Sequence, residues 1–119
     1  MDRVRITTAV AEVLAVLLAD PPAQRYGLEL MRATGQPSGT LYPILLRLQE
    51  AGWVRAEWEA VDPVMQGRPA RRYYRLTAEG LGAARTELAA LRERLGNRAG
   101  LAPSGGTTTA VTFAAGTTR

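Results

Sequence analysis

The chain has 119 residues, enough for one domain and too few for two with well-buried cores. It contains no Cys and no His, which excludes disulfides, thiolate metal sites and the commonest general base. Net charge is +4, from 15 Arg, no Lys and 11 acids. An all-Arg basic set suits bidentate phosphate contacts; it also follows from an Arg- and Ala-favouring codon bias, which better fits its spread along the chain.

No apolar run approaches the roughly 18 residues of a membrane span. The opening "MDRVRITTAV" lacks the basic-then-apolar order of a secretory signal. A soluble cytoplasmic protein is expected, with no membrane partner, no metal and no cofactor.

In chain order, "TTAVAEVLAVLLA" carries Val10, Val13, Leu14, Leu17 and Leu18 at the spacing of a helix buried on a broad face. Thr7 or Thr8 can cap it, and Asp20-Pro21-Pro22 ends it. A short second helix is expected over about Arg25 to Ala33, with Leu28, Leu30 and Met31 in the core and a turn at Gly35-Gln36-Pro37. The third helix is "SGTLYPILLRLQE". Leu41, Ile44, Leu45 and Leu48 share its inner face, Gly39, Pro43, Leu46 and Glu50 lie opposite, and Tyr42 and Arg47 flank them. Its cap is either Thr40, which makes Pro43 harmless, or Ser38, which makes Pro43 remove one hydrogen bond. Gly52 is placed to take a left-handed conformation after the helix.

The period then changes to two. "WVRAEWE" and "RRYYRLT" read as a β-hairpin, with Val54, Ala56, Trp58, Tyr74 and Leu76 facing the core. The opposite face sets Arg55 and Glu57 against Arg71, Tyr73 and Arg75, where Arg75 is expected to pair with Glu57. The linking "AVDPVMQGRPA" makes a long tip. The ten residues Gln66 to Arg75 hold four Arg and no acid, and the other 11 Arg balance the 11 acids, so the net charge is a patch on this hairpin.

Thr77 can cap a last helix running to about Gly96. Leu81, Ala84, Leu88, Leu91 and Leu95 form a narrow seam two heptads long, which suits pairing with a second helix and also suits packing on the first. From residue 98 the composition turns Gly/Ser/Thr/Ala-rich and reads as a flexible tail.

Three helices, a hairpin and a further helix describe an α+β, mostly helical fold: a winged helix-turn-helix with a C-terminal dimerisation helix. The expected division is 1–77 for the winged domain, 78–97 for the dimerisation helix and 98–119 for the tail. In this arrangement the third helix leads into the DNA major groove with its N-terminal end, where free amides favour phosphate. Ser38, Gly39, Thr40, Tyr42, Pro43 and Arg47 are the expected helix contacts. Tyr42 is balanced between touching DNA and resting on the second helix. Gly67, Arg68, Arg71 and Arg72 are the expected wing contacts, supplying affinity more than base choice.

The stretches "RYGLELMRATGQPSGTLYPILLRLQEAGWV" and "GRPARRYYRLTAEG" resemble the PadR family of bacterial transcriptional regulators. The resemblance covers roughly residues 10 to 95 and departs from the family pattern at Gln49, where an acid is usual, and at Leu46, where a polar or basic residue is frequent. It implies a homodimer that binds double-stranded DNA at a pseudo-palindromic operator, usually as a repressor, with the last helix at the dimer interface. A small-molecule effector is a secondary expectation, because the last helix has no aromatic residue to stack on a planar ligand. The competing expectation is a winged adaptor that binds proteins without specific DNA recognition. The acids Glu57, Glu59 and Asp62 read as a solvated strand, not as catalytic groups, and no enzymatic activity is expected.

Overall fold

A computed structural model describes residues 4–98. The expected tail beyond Arg98 lies outside the described residues. The order is α1 (Thr8–Ala19), β1 (Arg25–Tyr26), α2 (Gly27–Thr34), α3 (Ser38–Glu50), β2 (Val54–Trp58), α4 (Pro63–Gln66), β3 (Arg72–Leu76) and α5 (Ala78–Arg98). The strands form one antiparallel sheet in the order β1-β3-β2.

The first helix starts where Thr7 accepts a hydrogen bond from the Val10 amide, at 3.2 Å. Its inner face and those of α2 and α3 meet in one core built from Leu14, Leu17, Leu30, Leu41, Leu45 and Leu48, all essentially inaccessible. Burying each such leucine contributes about 1.5–3 kcal/mol, so this three-helix junction is the main source of stability. The turn from α2 into α3 is drawn onto α1 by Gln36, whose Nε2 donates to the Ala9 carbonyl at 2.9 Å and to Glu12 Oε1 at 3.0 Å. Gly35 makes that turn in the left-handed region, at φ 73°.

Residues 25–26 depart from the expected helix. They are extended and pair with β3, Arg25 opposite Tyr74 and Tyr26 opposite Tyr73. The Tyr26 amide donates to Glu29 Oε1 at 2.9 Å, and the helix starts at Gly27, two residues later than expected. With that start Leu30 turns inward and Leu28, expected in the core, stays 54% exposed.

The hairpin has the expected inner face at Val54, Ala56, Tyr74 and Leu76, and its register sets Val54 opposite Leu76 and Ala56 opposite Tyr74. Val54 and Tyr74 are buried, whereas Trp58, expected to join them, is 62% exposed. Trp58 ends its strand beyond the helices, and the Arg72 guanidinium lies over its ring at 5.3 Å. Arg75 meets Glu57 at 3.4 Å, as the alternation predicts.

The corner between α3 and β2 is clamped to the start of α5. Thr77 donates its hydroxyl to the Gly52 carbonyl at 2.7 Å and its amide to the Trp53 carbonyl at 2.9 Å, and its hydroxyl oxygen accepts from the Gly80 amide at 2.9 Å. Ala84 is fully buried in the core and Leu88 packs against it. These two residues of the expected dimer seam therefore face their own domain. The first compact unit ends at Leu88. In the second, Ala89–Arg98 is helical, with Leu91 half-buried and Leu95 56% exposed.

Candidate nucleic-acid interface

Pro37 is the N-cap of α3, displacing both expected caps, and its carbonyl accepts from the Thr40 and Leu41 amides, each at 3.0 Å. The Ser38 and Gly39 amides precede the first intrahelical donor and have no capping side chain. Ser38, Gly39 and Thr40 are all exposed, so this end offers small residues, two hydroxyls and unused N–H groups. Pro43 is the sixth helical residue and gives the Gly39 carbonyl no N–H. The helix stays continuous through it.

Burial of Leu41, Ile44, Leu45 and Leu48 turns Tyr42, Pro43, Leu46 and Arg47 outward. Tyr42 rests on the second helix while keeping an exposed edge. It is 41% exposed, and its ring also lies against Gly27 at the start of α2.

Beside Tyr42 a cleft of about 370 Å³ separates the beginning of α2 from the hairpin, lined by Tyr26, Gly27, Leu28, Tyr42, Arg71, Arg72 and Tyr74. Arg71 lies over the Tyr26 ring at 5.8 Å, and both wing arginines are exposed. Burial raises the Tyr74 phenol above its ordinary pKa, with Arg72 acting in the opposite sense. The hydroxyl there stays protonated and able to donate.

The hairpin tip is structured. Asp62 accepts from the Val64 amide at 3.0 Å and starts the single-turn helix α4, and Gly67 closes it at φ 68°. Arg68, expected on a phosphate, is instead held by Glu59: Nη1 donates to Oε1 at 2.8 Å and Nη2 to Oε2 at 3.2 Å. The patch thus presents Arg71 and Arg72, with Arg68 neutralised and only part-exposed. Glu59, expected on a solvated strand, is a hub. It also accepts from the Tyr26 hydroxyl at 3.1 Å and the Arg71 amide at 3.1 Å. Arg68 and these donors hold its pKa down to about 2 against the opposing effect of burial. The alternation of the strand carried no signal for this, because the donors come from β1 and from beyond α4.

Among the described residues no helix is long and apolar enough to cross a membrane, and no cluster of His, Cys, Asp or Glu is arranged to hold a metal ion.

No curated protein matches the chain. Solved structures share the fold. A PadR-like transcription factor from Bacteroides fragilis is 22% identical, with a TM-score of 0.63 over 80% of this chain and 90% of that one. A PadR-like transcriptional regulator from Bacillus cereus is 22% identical, with a TM-score of 0.59 over 82% and 92%. S. aureus MepR in its DNA-binding conformation is 17% identical, with a TM-score of 0.61 over 81% and 66%. Residues 13–86, most of the folded unit, match the transcriptional regulator PadR-like family. The chain belongs to that family.

Proposed function

We propose that this regulator binds double-stranded DNA as a homodimer at a pseudo-palindromic operator and represses transcription there. The observation that carries the reading is the exposed start of α3, with the small residues Ser38 and Gly39 leading, on the helix whose Tyr42 shares a cleft with the exposed Arg71 and Arg72. In the major groove Ser38, Gly39, Thr40 and Tyr42 bring hydroxyls and amides to phosphates and base edges, Pro43 stiffens the approach, and Arg47 follows one turn later. Arg71 and Arg72 neutralise phosphates alongside, with Gly67 turning the wing tip. Arg68 is left out of this set because its guanidinium is occupied by Glu59.

Ala84 and Leu88 are used inside the domain, so pairing of two copies is assigned to Leu91 and Leu95, with Leu81 at its margin. Repression follows from occupancy of a promoter-proximal site.

Binding of the purified protein to its own upstream DNA, compared with a scrambled duplex of equal length, tests the reading. A complex of two chains per duplex on the native sequence, at least 100-fold tighter than on the scrambled one, supports it, since specific sites typically bind 10³–10⁷ times more tightly than non-specific DNA. Equal binding to both contradicts it.

A further inference from the structure

A carboxylate beside a DNA-binding surface repels phosphate, so a part-buried acid within the basic wing needs a reason to be there. Glu59 has one. Both of its oxygens are taken, by Arg68 in a fork, by the Tyr26 hydroxyl and by the Arg71 amide, and its side chain is only 14% exposed. The Glu59 amide in turn donates to the Arg71 carbonyl at 2.7 Å. Three separate segments meet at this one side chain: β1, the chain leaving α4, and the approach to β3.

Two consequences follow from the geometry. Arg68 is folded back onto the hairpin, where it also donates to the Pro69 carbonyl at 3.1 Å. The Tyr26 ring, whose hydroxyl Glu59 holds, is the surface on which the Arg71 guanidinium rests, and it meets the Tyr73 ring in a T-shaped contact at 6.1 Å between centroids. Glu59 thereby removes one mobile cation from the wing and fixes the seat of another.

We propose that Glu59 is a positioning residue for operator discrimination: it withholds Arg68 from DNA and aims Arg71, lowering sequence-independent binding while setting the wing's geometry. This rests on the DNA-binding reading above. A free Arg68 adds a phosphate contact that any sequence satisfies, and a loosened Arg71 seat lets the wing follow non-operator DNA.

The test uses the full chain, its own upstream duplex and a scrambled duplex, with binding measured across a salt series. Glu59→Gln is expected to tighten scrambled-DNA binding several-fold and to cut the operator-to-scrambled ratio at least tenfold. It should also steepen the log–log salt slope on scrambled DNA by about 0.9 per protomer, one added phosphate contact. Arg68→Ala alone should leave that slope unchanged, and Glu59→Gln with Arg68→Ala should return it to the wild-type value. Tyr26→Phe, which removes only the hydroxyl, should lower the ratio without changing the slope, and it carries the test if Glu59→Gln does not fold. A purely structural role would weaken both duplexes in parallel at unchanged slope, and that result, or an unchanged ratio in Tyr26→Phe, overturns the proposal. A wild-type protein that does not distinguish the duplexes at all instead overturns the DNA-binding reading, and this one with it.

Discussion

The Tyr42 ring lies directly against the α-carbon of Gly27: a β-carbon at position 27 would stand 2.9 Å from Tyr42 Cζ, and nearer still to the hydroxyl oxygen. Glycine there lets α3's outward tyrosine lie back across the start of α2. Gly27→Ala must swing that ring aside. The obstacle is the free end of a side chain, so the fold should tolerate it. Helix propensity favours Ala over Gly by about 1 kcal/mol, and Tm should stay within a few degrees. Operator affinity should fall by about tenfold, or ~1.4 kcal/mol. Tyr42→Ala should cost a similar amount, and the double variant should be no worse than the poorer single one, as measured by fluorescence anisotropy. Additive losses would show that the two residues act separately.

Gly80 and Gly82 make an internal control on one helix. A β-carbon at Gly80 would overlap the Trp53 backbone, whereas at Gly82 it meets nothing within 4 Å. Backbone at the α3–β2 corner cannot rotate away as a tyrosine can. Gly80→Ala should destabilise by about 1–3 kcal/mol or more, as overpacking does. Gly82→Ala should be neutral or stabilising by up to about 1 kcal/mol. Thermal unfolding followed by circular dichroism separates the two.

Glu59 also predicts an acid-side signature. Its pKa is about 2 in the folded chain against 4.5 ordinarily. A depressed carboxylate contributes stability that is fully present above the unfolded value and is lost as pH falls toward the folded one. Wild-type Tm should therefore decline between about pH 4.5 and pH 2, partly through this group, as Arg68 and Tyr26 lose their ionised acceptor. Glu59→Gln should flatten that part of the curve and leave the neutral-pH side unaffected in shape. An identical slope in both proteins would mean that the hub does not titrate in this window.

The proposed pairing through the end of α5 predicts that Leu95 and Ala84 behave differently. Leu95 is 56% exposed, while Ala84 is fully buried in the domain core. Leu95→Glu should shift sedimentation from two chains to one with little change in helical content. Ala84→Glu should unfold the domain, because an unpaired charge in a packed core costs several kcal/mol. A Leu95→Glu protein that still sediments as a dimer places the interface elsewhere.

Much of this was legible in the sequence where periodicity and burial coincide. The Leu41–Ile44–Leu45–Leu48 face determines which side of α3 is exposed, and period-two alternation gives the inner face of the hairpin and the Arg75–Glu57 pair. What escaped depends on partners distant in sequence. Two residues of β1 are strand only because β3 lies beside them. Arg68 reads as a free cation in the sequence because its partner Glu59 lies nine residues earlier, across a structured tip. Trp58 fits the core by alternation but has no helix over it. Ala84 and Leu88 satisfy a heptad seam and a domain core equally well in one dimension, and only their place in the folded core decides between them.

The most direct test of DNA recognition through α3 and the Arg71–Arg72 face is a salt series on the native upstream duplex, comparing wild type with Arg71→Ala/Arg72→Ala. Each phosphate contact contributes about 0.9 to the log–log slope, so removing two per protomer should flatten it by about 1.8 per protomer, while preference for native over scrambled DNA persists at low salt. An unchanged slope would contradict phosphate contact by this face. A loss of preference with the slope intact would move base recognition from α3 to the wing.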